Sequence, residues 1–131
     1  LQKTSGARRS RGLIMPVFHK LVRHKIPAII LAKGEHCISR PLRDDEKDSA
    51  LDTKLCEETL ELIAARDLPQ SDAGRREKVV HEFADVFEVL SALLRREGIL
   101  LDEVRAKARD LREARGGFDD FILLEKAEPV R

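Results

Sequence analysis

This chain of 131 residues has no tryptophan and no tyrosine. Any stacking on a planar ligand must therefore come from its five Phe, its histidines or its arginines. Cysteine is almost as scarce. Cys37 and Cys56 show neither CxxC nor zinc-ligand spacing, so a thiolate metal site and a disulfide framework are both set aside and reduced thiols are expected. No apolar run approaches the roughly 18 residues that cross a membrane, and no signal-peptide core is present. A cytoplasmic location with no membrane partner is the expectation. An excess of charge of one sign is also missing. The net charge is +1, and Lys3, Arg8, Arg9 and Arg11 fall in the first fourteen residues, which hold no acid. Taking those four charges from +1 leaves −3 for the remainder. A basic body suited to a phosphate backbone is absent, so nucleic acid is not an expected partner. Residues 1–14 read as a tag remnant or an upstream extension, disordered, with residues 15–131 forming a single domain.

What is present favours helix. Apolar residues make up 42% and charged residues 37%, enough to bury a core and to cover helical surfaces. Leu, Ala, Glu, Lys and Arg dominate. In "KIPAIILAKG", Pro27 suits a first helical turn and Gly34 suits the stop. "EHCISRPL" reads as extended. In "RDDEKDSALDTKLCEETLELIAARDLP", Asp44 or Asp45 can cap a helix that Pro69 closes. "RREKVVHEFADVFEVLSALLRREG" predicts the longest helix, ending at Gly98. "LLDEVRAKARDLREARGG" predicts a fourth, with Asp102 as cap and Gly116-Gly117 as stop. "FDDFILLE" reads as a short strand that can pair with residues 36–41. The expected fold is all-α: a bundle of three to four main helices with a small two-stranded ribbon.

Carboxylates stand where apolar side chains belong. At 100° per residue with Leu51 at zero, Leu55 falls at about 40°, Leu62 at about 20° and Glu58 at about −20°, inside the apolar stripe. Glu61 lies on its shoulder at about −80°, and Glu57 at about −120°. On the next helix, with Val79 at zero, Phe83, Val86, Leu90 and Leu93 cluster within roughly 40° of the centre. Glu82 falls beside them at about −60°, Val89 at about −80° and Asp85 at about −120°. Glu58-x-x-Glu61 and Glu82-x-x-Asp85 thus line the inner edges of two adjacent helices. Antiparallel packing brings four carboxylates together, and unpaired buried carboxylates are untenable. Lys54 and Lys78, each one turn earlier, can neutralise one charge apiece. A divalent cation can balance the rest, and an all-oxygen ligand set favours Mg²⁺, Mn²⁺ or Ca²⁺. The competing reading is a solvated acidic face with intrahelical ion pairs. A di-iron centre would require Glu-x-x-His pairs, and His81 falls on the outer face.

The motifs "EETLE" (57–61) and "EFAD" (82–85) resemble the ExxE and ExxD pair of the all-α nucleoside triphosphate pyrophosphatases, the MazG-like superfamily. "HKLVRHKIPAII" (19–30) resembles the N-terminal KLVRDKIP signature of a subgroup described as house-cleaning nucleotide pyrophosphohydrolases, with His24 where that subgroup usually has Asp. "ARGGFDDFILLE" (114–125) resembles its RGGF C-terminus. The similarity spans about residues 17–125.

The resemblance implies hydrolysis of a (d)NTP between its α and β phosphates to a (d)NMP and pyrophosphate. It implies Mg²⁺, or Mn²⁺, on Glu58, Glu61, Glu82 and Asp85. Glu57 and Glu58 are the catalytic candidates, with Glu57 either orienting water, acting as base or lying exposed. Phosphate contacts fall to Lys20, Arg23, Lys25, Lys54 and Arg115. Phe118 can pack in a core or touch a base. A close variant is the phosphoribosyl-ATP pyrophosphohydrolase of histidine synthesis, against which the N-terminal signature argues. Two further classes are a non-catalytic helical module, antitoxin-like or scaffolding, and a regulatory protein that binds Mg·NTP. The preferred base and sugar are not legible. The apolar arc of the third helix, about 160° wide, exceeds what one neighbour needs. A homodimer or dimer of dimers is therefore expected, with helices two and three forming a four-helix core across a twofold.

Overall fold

The computed structural model describes residues 19–130. The basic stretch at 1–14 lies outside the described residues. Four helices follow in order: α1 (Ile26–Ala32), α2 (Asp44–Arg66), α3 (Arg75–Glu97) and α4 (Leu101–Arg115). Pro27 occupies the first turn of α1. Gly34 takes a left-handed φ of 82° just past its end, where its N–H donates to Leu31 O.

The caps differ from those expected of α2 and α4. Neither Asp44 nor Asp45 caps α2. The N-cap is Arg43, and Glu46 in the first turn reaches back to accept from its backbone N–H at 3.0 Å. A carboxylate at that position satisfies an otherwise orphaned donor, half of a capping box. Arg40 grips the same carboxylate with two hydrogen bonds of 2.8 and 3.0 Å. In α4 the same device replaces Asp102: Glu103 accepts from Leu100 N–H at 2.8 Å.

The body of the fold is the hairpin of α2 and α3, each 23 residues long and so about 34 Å. Ion pairs show that they run antiparallel. Arg96, near the end of α3, donates to Asp44 at 2.9 Å and Asp48 at 2.8 Å in the first turns of α2. At the other end Arg75 donates to the carbonyls of Arg66 and Leu68 at 2.9 and 3.0 Å, satisfying the last turn of α2. Gly98 ends α3 in the left-handed conformation.

The core is thin. Among the described residues only Leu51, Ala65 and Val89 are buried apolar residues. The face of α3 turned to α2 is the expected stripe rotated to one side: Val79, Val86 and Leu93 are half-buried in it. There α3 presents the edge carrying Glu82 and Val89, while Phe83, Phe87 and Leu90 are exposed. One neighbouring helix covers a narrow strip, and the rest of a wide apolar arc stays open. α4 packs closely on neither helix of the hairpin.

No strand forms among the described residues, so the expected ribbon is absent. Residues 118–121 close a turn instead, in which Phe121 N–H donates to Phe118 O at 3.1 Å and Phe121 adopts a left-handed φ of 49°. Arg112 holds that turn through Asp119 at 2.6 Å. A two-stranded pair with no packed face has little to stabilise it, and Ile38 and Phe121 are both almost fully exposed. Phe118 is exposed as well and joins no core within the chain. Among the described residues no helix is long and apolar enough to cross a membrane.

Candidate metal and phosphate site

Three carboxylates meet where α2 and α3 pack. One oxygen from each of Glu58, Glu61 and Glu82 lies within 4.8 Å of the other two. Glu58 and Glu61 share a face of α2 by their i,i+3 spacing, and the α3 edge turned to α2 brings in Glu82. Glu58 is 5% exposed and Glu82 9%, whereas Glu61 sits at the open rim. Lys54 answers Glu58, with Nζ 2.9 Å from Oε1, and stands 3.6 Å from Glu57 Oε2. Burial works against the Lys54 ammonium, but Glu58 and Glu57 outweigh it and hold its pKa above the ordinary range. Lys78, expected to neutralise Glu82, pairs with no acid among the described residues and stays exposed. Its partner has turned into the interface, where a hydrated ammonium would lose its water.

One oxygen of Glu58 and one of Glu82, Oε2 in each, are buried without a hydrogen-bond partner among the described residues. Such groups cost free energy unless something positive or proton-bearing meets them. Partial burial, then Glu58 and Glu82, push the Glu61 carboxyl above its usual pKa, while Lys54 pulls the other way. An all-oxygen group with orphaned buried oxygens and excess negative charge fits a hard divalent cation. Glu58, Glu61 and Glu82 are the residues that would hold it.

Asp85 stands apart from this group. Its Oδ1 accepts from Arg23 Nη2 at 2.9 Å, and its Oδ2 lies 3.2 Å from His81 Nε2. Assigning His81 to an outer face overlooked this contact, which its i,i+4 spacing to Asp85 permits. Lys20, Lys54 and Glu57 line one cleft of about 410 Å³ beside α2, together with Asp45, Ser49 and Thr53. Lys25 and Arg115 make no side-chain contact with these groups among the described residues, and Arg115 ends the helix that stands away from the hairpin. His24 is exposed and makes no side-chain hydrogen bond among the described residues.

The chain matches an uncharacterized protein of Mycolicibacterium smegmatis, 52% identical over 46 residues, which cover 35% of this chain and 47% of that protein. The match thus spans about half of the relative's length. No solved structure matches. The family profile described as phosphoribosyl-ATP pyrophosphohydrolase matches residues 18–111, a stretch that takes in the N-terminal segment, the whole hairpin and most of α4. With well over half its length matched, and with the carboxylates inside the matched region, the chain belongs to the phosphoribosyl-ATP pyrophosphohydrolase family, within the MazG-like all-α superfamily.

Proposed function

We propose that the protein is a divalent-cation-dependent nucleotide pyrophosphohydrolase that converts a (d)NTP to a (d)NMP and pyrophosphate, with noncanonical nucleotides as its targets. The observation that carries this reading is the carboxylate group itself: two buried oxygens without partners among the described residues, in a chain of a pyrophosphohydrolase family. When bound, Mg²⁺ or Mn²⁺ would neutralise charge on phosphate oxygens and lower the pKa of a water. The chain's residues supply the rest. Lys20 and Lys54 give the cleft positive charge for a phosphate chain. Glu57 lies at the edge of that cleft, within reach of Lys54, and is the group to orient water or accept its proton. Glu58, with Glu61 and Glu82, would hold the cation beside the cleft. Water adds at phosphorus, the α–β bridging P–O bond breaks, pyrophosphate departs with the electron pair, and the water proton passes to the base. Positioning and electrostatics carry most of such a reaction.

Phosphoribosyl-ATP is the second substrate reading, and the family match favours it as much. "KLVRHKIP" favours the nucleoside triphosphate. Among the described residues the cleft contains no Phe and offers Asp45, Ser49 and Thr53, with His19 at its lining, so a base would be read by hydrogen bonds or stacked on that imidazole. A homodimer or dimer of dimers, built on a four-helix core of α2 and α3 from two chains, belongs to the same proposal. The exposed Phe83, Phe87 and Leu90 support it.

Release of pyrophosphate from canonical and damaged (d)NTPs and from phosphoribosyl-ATP, with Mg²⁺ and with EDTA, tests the reading. Metal-dependent release from one class names the substrate. No release from any, by folded protein that binds Mg²⁺, would leave a regulatory nucleotide-binding protein.

A further inference from the structure

Asp85 lies one turn beyond Glu82, on the helix that already supplies one of the three carboxylates. Yet one of its oxygens accepts from Arg23, and His81 Nε2 lies 3.2 Å from the other. Arg23 comes from the segment before α1, 62 positions away in sequence, and its carbonyl is tied into the first turn of α1 by Ile26 N–H at 3.0 Å. The pair is loosely held: the Arg23 side chain is 53% exposed and that of Asp85 20%. Glu58 and Glu88 also act on the Arg23 charge, which places the guanidinium within the field of the carboxylate group.

We propose that Arg23 is a latch that keeps Asp85 out of the metal site until a phosphate chain arrives. This rests on the reading of Glu58, Glu61 and Glu82 as a cation site. A guanidinium fork suits two phosphate oxygens as well as it suits a carboxylate, and an ion pair this exposed is weak enough to exchange. The anionic ligand draws Arg23 off, and Asp85 becomes free to complete a four-carboxylate set. Arg23 then neutralises phosphate rather than protein. Phosphate binding and cation binding favour the same state, so each strengthens the other. The metal-free protein avoids a fourth uncompensated carboxylate at the group by pairing it with Arg23.

The test is titration of the full chain with Mn²⁺ alone, read by calorimetry or by the Mn²⁺ electron-spin signal, for the native protein, Arg23→Ala, Asp85→Asn and the double variant. Native protein and Asp85→Asn should bind Mn²⁺ with nearly equal affinity, because Asp85 is held off in both. Arg23→Ala should bind about 5-fold tighter or more, and the gain should vanish in the Asp85→Asn background. A gain that survives in that background would mean simple loss of a positive charge and would overturn the latch. So would an unchanged Arg23→Ala, or an Asp85→Asn loss as large as that of Glu58→Gln. If native protein binds no Mn²⁺ while folded, the cation site fails and the latch with it, an outcome separate from the other three. Circular dichroism of each variant checks that the helices persist.

Discussion

Glu58 and Glu82 are the residues for which this fold sacrifices most. Each is buried at a helix interface with an oxygen that no described residue satisfies. Lys54 answers Glu58, whereas Glu82 has no ion-pair partner among the described residues. Replacing Glu82 with Gln removes a charge from beside two other carboxylates at nearly constant volume. The metal-free Glu82→Gln protein should be more stable by about 1–2 kcal/mol, a rise in Tm of roughly 3–8 °C. The same variant should lose most of the upward Tm shift that millimolar Mg²⁺ or Mn²⁺ gives the native protein. A lower metal-free Tm would show that Glu82 is better satisfied than its surroundings indicate. Glu58→Gln should reduce hydrolysis by more than the ~10–100-fold typical of residues behind a ligand, with the helical signal unchanged. Asp85→Asn should also lose turnover, yet keep Mn²⁺ affinity when no nucleotide is present. Near-native rates for Glu58→Gln would sink the assignment of that carboxylate.

At the scale of elements, the two long helices are clamped at both ends by arginines, and α2 and α4 are started by carboxylates that were not the expected caps. Glu46 is the clearest case. The Arg40 hydrogen bonds first, and then the Arg43 backbone N–H, lower its carboxyl from the ordinary 4.5 to about 2. A carboxyl whose pKa is depressed on folding stabilises the fold above its unfolded value and loses that contribution as pH falls through the folded one. The Glu46 share should therefore be intact above pH 4.5 and vanish between 4.5 and about 2. Acid unfolding of Glu46→Gln, followed by circular dichroism, should show a shallower decline across that window. An identical acid limb would mean that the start of α2 does not depend on this contact. The Arg96 clamp on Asp44 and Asp48 acts in the same direction, since Arg96 lowers both carboxyls.

For the whole molecule, burial is the telling quantity. Among the described residues three apolar side chains are buried, while Phe83, Phe87, Leu90, Leu60, Ile63 and Val104 are exposed, so the proposed assembly should add apolar burial that one hairpin lacks. A second hairpin laid against the open face of α3 would cover what α2 leaves bare. Light scattering coupled to size exclusion should report a dimer or tetramer. Phe87→Glu should shift it toward monomer and lower Tm, because a charge buried in a helix interface costs several kcal/mol. A native protein that is monomeric with a high, concentration-independent Tm would refute this assembly.

Much was readable from the residues in order. The four helices, the glycine stops of three of them and the anomaly of Glu58 inside an apolar stripe all follow from local rules: proline and glycine geometry, acids near helix starts and a 100° step per residue. The family motifs are local too. Other features depended on which side of α3 meets α2, a choice that no single helix contains. α3 carries apolar side chains over a wide arc, so its pattern admits several contact faces. Packing selected the Glu82 and Val89 edge and left Phe83, Phe87 and Leu90 open. The same choice brought Glu82 to Glu58 and Glu61 and left Lys78 in water. Arg23 on Asp85 is a contact across 62 positions, invisible to any periodicity. The absent ribbon has a similar origin, since strand pairing needs a partner and a packed face that the tertiary structure does not provide. Local chemistry determined the helices and marked the carboxylates; only the packing of one helix on another decided which of them share a site and which cation stands over the fourth.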